Sequence, residues 1–143
     1  MDTDISNNVT EADLKEVYDG TIPKHHPDHY IAARLRDKTV FVAKNNGTAL
    51  GFLIYTIWWG NCPFIELIKV RKPYQRQGTG IALLKAAAND IQKQHFKTVI
   101  SSSEVINEIG TNFHRRWGFK DLNVLELPHG QEQFYSIELE NLV

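Results

Sequence analysis

The chain has 143 residues, 42% of them hydrophobic and 23% charged, and a formal net charge of -1. Those values fit one globular domain over residues 1–143, and they leave no broad basic field for nucleic acid and no lysine-rich face for anionic lipid. The lone Cys62 excludes an intrachain disulfide and suits a reducing, cytoplasmic setting, Met1 to Asn8 is unlike a secretion signal, and no apolar run approaches the ~20 residues of a membrane helix.

Thr10-Glu11-Ala12-Asp13 reads as a helix start, with Thr10 capping, Asp13 closing a capping box, and Leu14 and Val17 opening an apolar stripe. Pro27 to Arg36 reads as a second short helix. The period then changes. Thr39 to Ala43 is β-rich, Asn45-Asn46-Gly47 is a hairpin turn, Ala49 to Trp59 is the returning strand, and Phe64 to Val70 is a third strand.

A loop from Arg71 to Gly78 opens into an amphipathic helix over about Thr79 to Gln94, with Ile81, Leu84, Ala88 and Ile91 on one face. Thr98 to Ser101 is a short strand. Ile106 to Trp117 reads as a helix with Ile106, Ile109, Phe113 and Trp117 at helical spacing and Gly118 in the capping position beyond it. Strands around Phe119 to Leu125 and Gln133 to Leu139 close the chain. The element order is that of a mixed α/β domain, without repeat or linker.

The sharpest local pattern is Gln75-Arg76-Gln77-Gly78-Thr79-Gly80, between a strand and a helix. Glycines let the backbone turn tightly, and the first amides of the helix have no internal acceptor and sit at the positive end of its dipole. Such a turn can seat a diphosphate, with Arg76 adding charge, or it can be a plain structural turn. Ile81-Ala82 stands where a P-loop needs Lys-Ser/Thr, and Leu83 where a dinucleotide fingerprint needs a small residue.

This hexapeptide resembles the Gln/Arg-x-x-Gly-x-Gly/Ala motif of the GNAT acetyltransferases. Ile68-Lys69-Val70 with Tyr74 is similar to that family's fourth-strand segment. Asn107 through Phe119, with Gly110, Phe113 and Trp117-Gly118-Phe119, is similar to its later Asn-x-x-Ala-x-x-Phe-Tyr…Gly-Phe block. The resemblance runs over about Phe41 to Leu139. It implies a mixed sheet of about six to seven strands, mostly antiparallel with one splayed parallel pair, flanked by about four helices.

It also implies acetyl-CoA as cosubstrate, with Gln75, Arg76, Gln77, Gly78, Thr79 and Gly80 on the pyrophosphate, backbone groups of Ile68 and Val70 on the pantetheine arm, and Asn107 on its amides. The gap between the Phe64–Val70 and Thr98–Ser101 strands would admit that arm. On the residues alone, Ile68 and Val70 read equally as core.

Aminolysis of a thioester needs a neutral amine, a polarised carbonyl and a protonated leaving thiol. Glu66 interrupts an apolar strand on the side of Phe64, Ile68 and Val70. A carboxylate there is costly without a partner, and a substrate ammonium would be one, so Glu66 is the candidate base or amine anchor. The alternative is an edge glutamate or a salt bridge with Lys69 or an arginine.

His114 stands where many members of the family carry a tyrosine that protonates the thiolate. Asn107, Gly110 and His114 share a helical face, with Gly110 admitting a ligand closely and His114 supplying a proton. A surface histidine beside Arg115 and Arg116 is the alternative, with Tyr55, Tyr74 and Tyr135 as other acids.

His25, His26, Asp28 and His29 cluster, but Pro27 interrupts any helical ligand spacing and no cysteine lies near, so no metal site is expected. Trp58 and Trp59 are expected in the core or at an interface.

The expected activity is transfer of acetyl from acetyl-CoA to a primary amine of a small cationic molecule, with Glu66 and the absence of basic character favouring a cationic acceptor. Acetylation of a protein or peptide amine is the enzymatic alternative, and a non-catalytic acyl-CoA sensor the other. Acylation of an aminoacyl-tRNA would want a basic groove, which the charge balance disfavours. A homodimer through the last two strands is a fold-level expectation only.

Overall fold

A computed structural model describes residues 3–24 and 26–142. It contains seven strands and four α-helices among those residues. They are β1 (Asp4–Ser6), α1 (Glu11–Val17), α2 (Asp28–Arg36), β2 (Val40–Asn45), β3 (Thr48–Trp58), β4 (Cys62–Val70), α3 (Thr79–Gln92), β5 (Thr98–Glu104), α4 (Glu108–Arg116), β6 (Lys120–Leu127) and β7 (Gly130–Glu138). Hydrogen-bonded neighbours run β1-β2-β3-β4-β5-β7-β6 in a seven-stranded sheet. The parallel ladder joins β4 to β5 through Phe64 with Ile100 and Ile65 with Ser101, whereas β1–β2, β2–β3, β5–β7 and β6–β7 are antiparallel.

Contacts gather the chain into two compact units, one from residues up to Thr56 together with Leu67–Ala87, the other from Ile57–Glu66 and the residues from Ala88 on. In the first, Leu14 and Val17 of α1 and Ile31 of α2 pack with Val40 and Val42 of β2 and with Ala49, Phe52 and Ile54 of β3. The register places Val40 opposite Ile54 and Val42 opposite Phe52, so these residues line one face of the β2–β3 pair. The Thr10–Asp13 capping box forms in both directions. Asn46 and Gly47 take φ of 50° and 80°, the left-handed pair that a tight hairpin requires. In the second unit, β5 lies along β7 from Thr98–Glu138 to Glu104–Glu132, and β6 turns into β7 at Leu127–Gly130.

One strand is added to the expected elements, and two expectations are corrected in whole or in part. The polar stretch around Asp4–Ser6 forms β1, pairing with Val42–Lys44 through backbone groups that its side chains do not advertise. Ile106 precedes α4 and is 86% exposed, and Ile109 is 68% exposed, so the apolar spacing there does not mark the buried face. That face is marked by His114, the buried residue of α4. Trp59 falls in the turn with φ of 53° and is 86% exposed, which removes the core half of its expectation and leaves the interface half standing.

Candidate active site

The first unit builds the glycine turn. The β2–β3 register slips after Ala43, from Gly51 to Ala49, and leaves Leu50 as the extra residue of a bulge. The Leu50 carbonyl accepts the Arg71 N–H at 2.8 Å, which ties the exit of β4 to β3. A Cβ on Gly51 would sit 2.7 Å from the Lys69 carbonyl oxygen, so the glycine permits this close backbone approach.

Beyond β4, the Gln75 amide donates to the Val70 carbonyl at 3.0 Å and the Gln77 amide to the Pro73 carbonyl at 3.2 Å. Both glutamine side chains therefore brace their own loop. Arg76 and Gly78 take φ of 61° and 85°, and α3 begins at Thr79.

The first backbone bond of α3 runs from the Ala82 N–H to the Gly78 carbonyl at 3.1 Å. Helix geometry gives the N–H groups of Thr79, Gly80 and Ile81 no acceptor inside the helix. Thr79 is 3% exposed, and its hydroxyl has no hydrogen-bond partner. An orphaned buried hydroxyl is costly unless a ligand satisfies it. The turn thus combines amide donors and the exposed Arg76 with an enclosed, unsatisfied hydroxyl at Thr79, donors of the kind that phosphate oxygens take. Ile68 and Val70, both half-buried, lie on one side of the last stretch of β4 in this same unit.

The second unit holds Glu66, directly after the parallel ladder and half-buried on β4. It shares a side of the strand with Phe64, which stacks on Trp58 at 4.1 Å and 19° and lies 6.2 Å from Phe134. The carboxylate therefore neighbours an aromatic wall.

His114 lies on the other face of this part of the sheet. It is 5% exposed, which overturns the surface alternative. Its Nε2 is 2.7 Å from Ser101 Oγ and its Nδ1 is 2.7 Å from the Gly110 carbonyl. The ring stacks on Tyr135 at 4.1 Å and 7°, with Phe119 edge-on at 5.0 Å. Burial pushes its pKa below the ordinary 6.5, outweighing the upward pull of the Gly110 carbonyl, Glu132 and Asp121.

Asn107 caps α4, its side-chain oxygen accepting the Gly110 N–H at 3.0 Å. A Cβ on Gly110 would lie 2.8 Å from Ser103 Cβ. The space is filled by strand β5, not kept for a ligand. Among the other tyrosines weighed as acids, Tyr55 and Tyr135 are fully enclosed, and the Tyr135 hydroxyl pairs with Ser103 Oγ at 3.0 Å. Tyr74 is half-buried.

Among the described residues no three His, Cys, Asp or Glu side chains gather as metal ligands, and His25 lies outside those residues. Sequence reasoning passed over Ser101, Leu50 and Gly51. The signals were a serine triplet inside a strand and a glycine inside an apolar one.

A family model described as the acetyltransferase (GNAT) family matches residues 8–119. Aminoglycoside N(6')-acetyltransferase type 1 of Klebsiella aerogenes is 29% identical over 115 residues, covering 73% of this chain and 76% of that protein. Among solved structures, Ard1 of Thermoplasma volcanium aligns with a TM-score of 0.81 at 18% identity, over 96% of this chain and 98% of that one. The yncA protein of Salmonella typhimurium, solved with its cofactor acetyl-CoA, aligns at 0.74 and 18% identity, over 96% and 94%. The ribosomal-protein-S18-alanine N-acetyltransferase of Escherichia coli aligns at 0.73 and 19% identity, over 96% and 94%. At these identities the structural likenesses speak to the fold.

Proposed function

This chain belongs to the acetyltransferase (GNAT) family, and on that footing we propose that it transfers an acetyl group from acetyl-CoA to a primary amine of a small cationic molecule, in the cytoplasm, by direct attack on the thioester. Bound acetyl-CoA supplies the activated acyl group. The observation that carries the assignment is the mouth of α3, where the Thr79 hydroxyl is buried without a partner in a first turn whose amides have no acceptor inside the helix.

In the first unit, the amides from Gly78 to Gly80, the Thr79 hydroxyl and Arg76 hold the pyrophosphate. Gln75 and Gln77 keep the loop in shape, and backbone groups of Ile68 and Val70 hydrogen-bond the pantetheine arm. In the second unit, the Asn107 side chain meets the arm's amides. Glu66 holds the acceptor ammonium and, through water, takes its proton so that the neutral amine attacks. A carboxylate beside stacked aromatic rings favours a cationic acceptor. The aminoglycoside-acetylating relative points the same way.

The test is thiol release from acetyl-CoA across polyamines, aminoglycosides and peptides. Turnover is expected with the first two classes. Turnover confined to peptides would overturn the acceptor class. Glu66→Gln is expected to lower acceptor-dependent kcat/KM by about 100-fold, with coenzyme affinity unchanged. Should coenzyme affinity fall while turnover survives, Glu66 has another task.

A further inference from the structure

We propose that His114 is a positioning residue: a neutral imidazole shared between the Gly110 carbonyl and the Ser101 hydroxyl, it fixes the first turn of α4 on β5 and so aims Asn107, instead of giving a proton to the departing thiolate. The inference rests on the assignment of Asn107 to the coenzyme made above.

The hydrogen-bond chemistry sets the tautomer. A backbone carbonyl only accepts, so the Nδ1 atom 2.7 Å from the Gly110 oxygen carries the proton and donates it. The neutral ring then has a lone pair at Nε2, and the Ser101 hydroxyl at 2.7 Å donates to it. Both ring nitrogens are engaged. Ser101 is 2% exposed, and Tyr135 and Phe119 cover the ring face and edge.

A proton donor needs a labile proton facing its acceptor. The ring's single proton faces the helix backbone. Donation from Nε2 would require the imidazolium, which burial disfavours. Among the charged groups, Asp121 of β6 and Glu132 of β7 act on the ring without reversing that effect.

The same bonds explain what the ring is for. Gly110 joins three contacts: its N–H goes to the Asn107 side chain, its carbonyl takes the His114 ring, and its missing Cβ lets it sit against Ser103. The turn that orients Asn107 is thereby pinned to β5 twice, by Gly110 on Ser103 and by His114 on Ser101. Tyr135 is part of the clamp, stacked on the ring while its own hydroxyl pairs with Ser103. A tyrosine at position 114 would lack the Nδ1–H that this arrangement uses.

The experiment compares His114→Phe, which keeps a ring against Tyr135 but deletes both bonds, with Ser101→Ala and the conservative Ser101→Thr, all in the full chain. The first two are each expected to raise KM for acetyl-CoA about tenfold while kcat stays within about twofold. The double variant should be no worse than His114→Phe alone, because that change already deletes the bond to Ser101. Ser101→Thr should restore the wild-type KM, and the pH profile of kcat should keep its shape in His114→Phe. Loss of an ionisation from that profile with KM unchanged would make His114 the proton donor and overturn the inference. So would variants that melt earlier with KM and kcat intact, which would mean a merely structural role.

Nitrogen NMR of the wild-type histidine ring gives a readout that needs neither folding of a variant nor an acceptor. A neutral ring protonated at Nδ1 at pH 7 is expected, and an imidazolium or the other tautomer overturns the inference. Coenzyme A affinity, read by calorimetry, separates the failures. If wild-type protein does not bind it, the assignment of the coenzyme site fails. If it binds and Ser101→Ala binds equally well, only the positioning role fails.

Discussion

Enclosing a histidine between a hydroxyl, a carbonyl and two aromatic rings makes folding stability depend on pH. The pKa of His114 is lowered in the folded protein, chiefly by burial, from the ordinary 6.5. As pH falls, the unfolded chain takes up the proton first. The contribution of the neutral ring is therefore whole above about pH 6.5 and lost as pH falls from there toward the folded value, with a slope of up to about 1.4 kcal/mol per pH unit. Urea denaturation between pH 7.5 and 5 should show wild-type stability falling more steeply than that of His114→Phe. Parallel curves would mean that the imidazole is not held neutral.

Two glycines separate by the same kind of reasoning. Gly51→Ala drives a Cβ into backbone, 2.7 Å from the Lys69 oxygen and 3.1 Å from Val70 Cα, which cannot move without breaking strand pairing. Gly110→Ala meets Ser103 Cβ at 2.8 Å and the Asn107 amide at 2.9 Å. Ser103 Cβ is fixed to the β5 backbone and the Asn107 amide is held by its bond to the Gly110 N–H, so neither yields freely. A helical position, however, favours alanine over glycine by about 1 kcal/mol, which offsets part of that clash. Overpacking typically costs about 1–3 kcal/mol, so Gly51→Ala should be clearly the more destabilising of the pair in denaturant titrations. An equal or reversed order would show that the β3 bulge can relax.

Elements whose signals are contiguous were legible in the sequence, and those set by distant partners were not. The start of α1 is an example of the first kind, because Thr10 and Asp13 satisfy each other's backbone three residues apart. Asp13 is also tied to Lys44 at 2.8 Å, and these bonds hold its carboxyl below the usual range although burial works against them. Thr10→Ala should therefore cost about 1 kcal/mol in thermal or chemical unfolding, without altering coenzyme binding. A loss near zero would mean that the Lys44 contact alone anchors the helix.

The hairpin at Asn46-Gly47, the glycine turn before α3 and Gly118 after α4 were readable for the same local reason. By contrast, β1 owes its existence to pairing with β2, and α4 turns Gly110 and His114 inward because β5 offers serines there. Apolar spacing pointed to Ile106 and Ile109, which are exposed. Similarly, Gln75 and Gln77 were legible as members of the motif. Their bonds to Val70 and Pro73 carbonyls follow from how the loop folds back, which no spacing rule reports.

At the scale of the whole molecule, a cosubstrate that binds only the folded chain must raise its stability by mass action. At a concentration of 100 times Kd the gain is about 2.7 kcal/mol, whatever the number of contacts that produce it. For a chain of 143 residues this corresponds to a melting-temperature rise of several degrees. Acetyl-CoA should produce that rise, and Thr79→Val should blunt it. In the free protein the Thr79 hydroxyl is buried without a partner, so replacing it with a methyl removes an unsatisfied group and should leave the ligand-free melting temperature unchanged or higher. With the hydroxyl donating to the pyrophosphate as proposed, the same change in the complex removes a donor to a charged phosphate, worth about 1.5–3 kcal/mol, or roughly 10–100-fold in affinity. Opposite effects of one substitution on the free and the loaded protein are what a residue kept for its ligand should show. A Thr79→Val protein that melts earlier than wild type, yet gains as much from acetyl-CoA, would place the hydroxyl in the service of the fold and move the pyrophosphate contact elsewhere on the turn.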